Sequence, residues 1–209
     1  LEDRVSPKFR AAMSVGKDTV SRNPAGGKRG GGDDDARAGG AEAKGYKSLN
    51  FHQAGAGFPV IQDILKHVYD KGLSKVDAKD RIGENLYNRG VYNSMLMVEA
   101  IRNAQKITGK KVITGEDMRR GLETLTITQA RWKEIGLEGF GAPITAVNCA
   151  DHNGHHAAYM QQWNGKNWVK ISDWISPMKE EVRPLLEAAA KDYVTKNAGW
   201  PKRTEKCDK

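Results

Sequence analysis

The chain has 209 residues, 38% of them hydrophobic and 29% charged, enough for one large domain or two small ones without an abundance of core-forming side chains. Its 34 basic and 26 acidic residues leave a net charge of +8, but the basic residues are scattered among Asp and Glu with no aromatic interleaving, which argues against nucleic-acid binding. No run of about 18 apolar residues is present, so no stable membrane insertion is expected. The leading LEDRVSPKFRAAMSVGKD lacks the apolar stretch of a signal peptide, and Leu1 in place of Met reads as a trimmed start.

Residues 1–18 can form a short helix behind Pro7. Residues 21–43, SRNPAGGKRGGGDDDARAGGAEA, hold almost no large apolar side chains, and are expected to stay disordered or form a long loop. Tyr46 to Phe51 has the size of a short strand, and His52 to Pro59 reads as a loop. A lone strand at 46–51 in a helix-rich chain suggests a parallel sheet whose other strands lie on absent polypeptide. Pro59 opens a helix with an apolar stripe at Val60, Ile61, Ile64, Leu65, Val68 and Tyr69 that Gly72 stops. A second helix begins between Leu86 and Val91 and runs to Ile107, with Val91, Met95, Val98, Ile101 and Ala104-Gln105 on its stripe and Gly109 as its stop. Thr114 and Asp117 form a capping box for a third, carrying Met118, Leu122 and Leu125.

Residues 126–142 read as a loop holding Trp132, Gly139 and Gly141. A β-meander follows, with strands at 143–149, 156–163 and 167–174 and type I′ turns at Asn153-Gly154 and Asn164-Gly165. Period-2 alternation places Tyr159, Gln161 and Trp163 on one side and Met160 and Gln162 on the other; Trp168, Lys170, Ser172 and Trp174 alternate with Val169, Ile171 and Asp173. The last helix spans 179–196, with Val182, Leu185, Leu186, Ala189 and Tyr193 facing inward.

Among candidates for chemistry, His152, His155 and His156 with Asp151 can be read as metal ligands of a soluble enzyme. The same residues suit a polar hairpin turn, and His155 and His156 point to opposite faces of an extended strand. A nucleophile elbow and a phosphate-binding loop are both absent. Cys149 and Cys207 fit no metal spacing, and a single bridge and two free thiols both suit them. Glu84 to Tyr92, ENLYNRGVY, sets Tyr87 and Arg89 at a helix entry, where free N–H groups and a guanidinium suit an anionic ligand. His52 follows a strand end, the place where ligands sit in open α/β sheets. Asp34, in the run Asp33 to Asp35, can contact an ammonium group. No cofactor is implied.

The stretches GYKSLNFHQAGAGFPVIQDI, LYNRGVYNSMLMVEAIRNAQ and CADHNGHHAAYMQQWNGKNWVKISDW resemble the extracytoplasmic substrate-binding proteins of ABC transporters. The nearest group is the branched-chain amino acid (leucine/isoleucine/valine-binding) group of the type I periplasmic-binding fold. The resemblance covers 33–209, about the C-terminal half of a typical member. Residues 1–32 are atypical of it: NPAGGKRGG stands where the family has a buried strand, which points to a shifted frame or wrong start. The resemblance implies an α/β fold, the C-terminal part of a two-lobed clamp with elements of both lobes and a late antiparallel meander. It implies solute binding without catalysis: an amino acid, amide or small organic acid held between the lobes and handed to an ABC transporter permease, in the periplasm or another extracytoplasmic space. It sets the acidic run Asp33 to Asp35 where some members hold a carboxylate for the ligand's amino group and puts Tyr87 and Arg89 near the cleft or hinge, so that with His52 at its strand end the expected solute contacts are His52, Tyr87, Arg89 and Asp34. It pairs Cys149 with Cys207 in a disulfide.

Overall fold

The computed structural model describes residues 32–75, 79–145, 147 and 157–201. The expectations for residues 1–31, for the turn at Asn153-Gly154, for His152, His155 and His156, and for Cys149 and Cys207 fall outside them.

The described residues form a mixed α/β unit around a small antiparallel sheet. Helix α1, Asp33–Ala38, is followed by a 3-10 turn, Gly40–Ala43. This corrects the expectation of a disordered segment through residue 43. Ala36 and Ala43 have too little side chain to signal burial in a hydropathy pattern, yet both pack against Trp163 and Trp168. Strand β1, Lys47–Asn50, pairs antiparallel with β2, Tyr159–Trp163, which pairs antiparallel with β3, Trp168–Lys170. The strand near residue 46 therefore finds its partner within this chain, more than a hundred residues on, and the parallel sheet expected from its isolation is not formed by the described residues. Sequence-distant antiparallel pairing leaves no local trace, so helix-rich surroundings hide it.

Helix α2, Pro59–Ile64, starts on its proline and continues as a wider π-type turn, Leu65–Tyr69. The long helix α3, Asn85–Thr108, ends in a left-handed Gly109 at φ 70°, a conformation glycine adopts without a Cβ penalty. Helix α4, Gly115–Glu123, opens on the expected capping box: Thr114 accepts from the Asp117 N–H, and Asp117 accepts from the Thr114 N–H. Helix α5, Gln129–Glu134, lies where a loop was expected. Its N-cap Thr128 accepts from the Arg131 N–H, and its one large apolar residue, Trp132, is fully buried and donates from Nε1 to the Ala142 carbonyl. Six residues are too few for a helical period to show.

The second hairpin forms, but its turn differs. Trp163 faces Trp168, so the loop runs Asn164 to Asn167, and the Asn164 side chain accepts from the N–H groups of Lys166 and Asn167. Asn164 has negative φ, leaving Gly165 alone in the left-handed region at 104°, so this is no type I′ turn. Ile144 bridges Ile127, and residues 146, 148 and 149 of the expected first meander strand fall outside the described residues.

The main core gathers Tyr92, Leu125, Ile127, Trp132, Leu137 and Phe140 between α3, α4 and α5. Gly121 sits where α4 meets α3; a Cβ there would lie 2.5 Å from the Ala100 carbonyl oxygen. Helix α6, Lys179–Lys196, has the expected span but buries none of its residues. Leu185 is 69% and Leu186 50% exposed, and Val182 and Tyr193 are also open. The expectation that this face points inward is thus corrected: among the described residues Val182, Leu185 and Leu186 stay open, and Tyr193 meets Trp200 edge-on.

Candidate functional site

Strand β1 has its polarity inverted. Leu49 is 62% exposed while Ser48 and Asn50 are buried, and His52, two residues on, is fully enclosed. Opposite them on β2 lie buried Tyr159 and Gln161. The inner face of the sheet is thus a polar grid, and α3 lays its first turns against it.

Buried polar groups need partners, and the grid supplies them. Gln161 Nε2 donates to Ser48 Oγ at 3.0 Å, and Tyr159 donates to the His52 carbonyl at 2.9 Å and to Gln161 Oε1 at 3.2 Å. Asn50 Nδ2 donates to Asn85 Oδ1 at 2.9 Å and to Gln161 Oε1 at 3.4 Å. Arg89 reaches down from α3, donating from Nε to His52 Nε2 at 3.1 Å and from Nη2 to Asn50 Oδ1 at 3.3 Å, with its guanidinium 4.9 Å from the Phe51 ring centre.

His52 ends this arrangement. Its ring stacks 5.8 Å from Phe140 and lies 5.7 Å from Tyr92. Burial, and then the adjacent Arg89 charge, push its pKa down to about 4, against a weaker pull from the Gln53 backbone. The imidazole is therefore neutral near pH 7, as its acceptance of the Arg89 N–H also requires. Its Nδ1 is buried without a well-formed hydrogen bond, as is Asn88 Oδ1. Asn88 uses Nδ2 to tie down the Gln53 and Gly55 carbonyls. Gly83 closes against that loop: at φ 92° it would place a Cβ 2.6 Å from the Ala56 nitrogen.

Of the four residues named from sequence, the structure brings His52 and Arg89 into contact. Tyr87 is two positions from Arg89 on α3 and so faces roughly the other way. It lines an open cleft of about 780 Å³ with Val60, Ile64, Val91, Met95 and Ile135, and burial together with Tyr69 raises its pKa to about 12. Asp34 is exposed and already bound by two guanidiniums, Arg81 and Arg37, each at 2.6 Å; those hydrogen bonds hold its pKa below the ordinary carboxylate value. Glu84 joins the same cluster through Arg37 and Arg81. An ammonium ligand at Asp34 would have to displace these pairs.

Asn50 and Asn85 belong to the site and were not expected there, and of the acidic run it is Asp33, not Asp34, that reaches it. Asp33 is buried and its carboxylate accepts from the Asn85 N–H at 2.7 Å, capping α3. Burial raises its pKa, outweighing that hydrogen bond. The one legible signal is the spacing of Ser48, Asn50 and His52, all on one side of a strand. Among the described residues no cluster of His, Cys, Asp or Glu could hold a metal ion, and no helix is long and apolar enough to cross a membrane.

No family model and no curated protein matches the chain. Two solved structures do. One, described as an ABC transporter permease from the Pseudomonas fluorescens group, is 36% identical with a TM-score of 0.73, over 83% of this chain and 42% of that one. The other, a branched-chain amino acid ABC transporter from Thermus thermophilus with bound valine, is 18% identical with a TM-score of 0.54, over 81% and 44% respectively, and speaks for the fold alone. The chain therefore spans less than half the length of each, and is structurally similar to part of ABC transporter chains, one of which binds valine.

Proposed function

We propose that this chain is part of the extracytoplasmic solute-binding component of an ABC importer, and not an enzyme. On this reading residues 33–209 form the C-terminal part of a two-lobed clamp of the periplasmic-binding type, and residues 1–32 stand outside it. The solute is an amino acid, an amide or a small organic acid. The Arg89 and His52 corner contributes one wall of its site, the guanidinium meeting a carboxylate and Phe51 flanking it. Closure over the solute then selects the state that a membrane permease accepts. The polypeptide that completes the clamp would cover the bare face of α6 and the outward Leu49, Val169 and Ile171.

The observation that carries this reading is the likeness, at 36% identity over 83% of this chain, to an ABC transporter chain. Thermal-shift measurements with L-valine, other amino acids, amides and small organic acids test it. At least one carboxylate-bearing solute should raise the melting temperature of the wild type and not of Arg89→Ala. Stabilisation that survives Arg89→Ala unchanged would place the solute elsewhere.

A further inference from the structure

The assignment of Arg89 to the solute rests on the reading above; how Arg89 is held is a separate question that the hydrogen bonds answer. We propose that Asn50, anchored through Asn85 to Asp33, is the positioning residue that fixes the Arg89 guanidinium against His52.

An Asn side chain has two N–H donors and an oxygen with two lone pairs. Asn50 uses all of them: Nδ2 donates to Asn85 Oδ1 and Gln161 Oε1, and Oδ1 accepts from the Phe51 N–H at 2.9 Å and from Arg89 Nη2. Flipping this amide would set donor against donor at Arg89 and acceptor against acceptor at Asn85 and Gln161. Its oxygen is therefore locked toward Arg89.

The anchor behind it is equally directed. Asp33 Oδ2 accepts from the backbone N–H of Asn85, and Asn85 turns its own Oδ1 to Asn50. Capping α3 requires the first of these contacts and not the second. Burying two asparagine amides, each less than 4% exposed, against each other has no value for a cap. It does hold a strand residue in register with a helix residue one turn before Arg89. The titratable and charged groups packed around His52 are Arg89 and the phenols of Tyr92 and Tyr159, whose pKa values burial raises to about 12. Among the described residues Arg89 is thus the one charged group beside the imidazole, and its charge adds to burial in lowering the His52 midpoint, so that midpoint rises when the guanidinium moves away.

The test follows the His52 imidazole by NMR through a pH titration of the full chain, with circular dichroism to verify folding. Asn50→Ala and Asp33→Ala should raise the His52 midpoint from about 4 toward the ordinary imidazole value, because the guanidinium drifts away. Asp33→Asn keeps an acceptor for the Asn85 N–H and should leave the midpoint near the wild-type value. Thr114→Ala, which loosens α4 instead, should lower stability without moving the midpoint. Should Asp33→Ala fail to fold, Asn50→Ala decides. An unchanged midpoint in folded Asn50→Ala, or an equal rise in Thr114→Ala, overturns the proposal. Neither result depends on a solute, so failure here is distinct from failure of the transport reading, which the thermal-shift panel judges.

Discussion

His52 carries a consequence for stability. Its folded pKa, near 4, lies below that of a free imidazole, at about 6.5. Between those values the unfolded chain takes up a proton that the folded chain refuses, so stability falls as pH drops through this window, by about 3 kcal/mol at its acid end. Asp33 works in the opposite sense. Its raised pKa lets the folded chain bind a proton first, which offsets part of the loss near the acid end. Urea unfolding at pH 7 and pH 4.5 should show a marked loss for the wild type and a smaller one for His52→Asn; equal losses would mean that His52 is not enclosed as described. The type and place of His52 and Arg89 are legible in the sequence because a strand end and a helix entry are marked locally. Their contact is not, since 37 positions separate them. Asp34 misleads for a related reason: a run of three Asp does not say which member turns inward, and the buried one is Asp33.

At the scale of elements, caps and crossings set the testable points. Thr114→Ala removes a two-sided capping box and should cost about 1 kcal/mol, measured by urea unfolding. Gly121→Ala forces a methyl toward the Ala100 carbonyl, so α3 and α4 must part, at about 1–3 kcal/mol; a neutral result would show that the two helices do not cross there. Long helices are readable because three or more turns repeat their pattern: the ends of α3 fall close to those expected, and α6 has the expected span. The inward face of α3 is not so readable. Its buried residues are Asn85, Asn88, Tyr92, Glu99, Ala100 and Ala104; of the expected stripe Ala104 is among them, while Val91, Met95 and Val98 lie over the open cleft. Polar inward residues are invisible to a hydrophobic period when other side chains satisfy them, and Glu99 is buried because Arg131 and Arg102 hold it. The same blindness hides the inverted face of β1.

For the whole molecule, the likeness to part of longer chains and the uncovered faces point the same way. The sequence of residues 33–209 resembles half of a two-lobed clamp, and the solved chains similar to this one are covered by 42% and 44%. On the proposed reading, a partial clamp keeps only part of its solute contacts. Binding is then expected in the millimolar range, about −4 kcal/mol, within reach of NMR at high solute concentration. The most direct measurement is a chemical-shift map of this chain titrated with the carboxylate solute that stabilises it best. Shifts should concentrate at Asn50 to Gln53 and at Asn85, Asn88 and Arg89, and vanish in Arg89→Ala. Shifts centred on the Tyr87 cleft, or none at tens of millimolar across the whole panel, would contradict a solute site at the Arg89 and His52 corner.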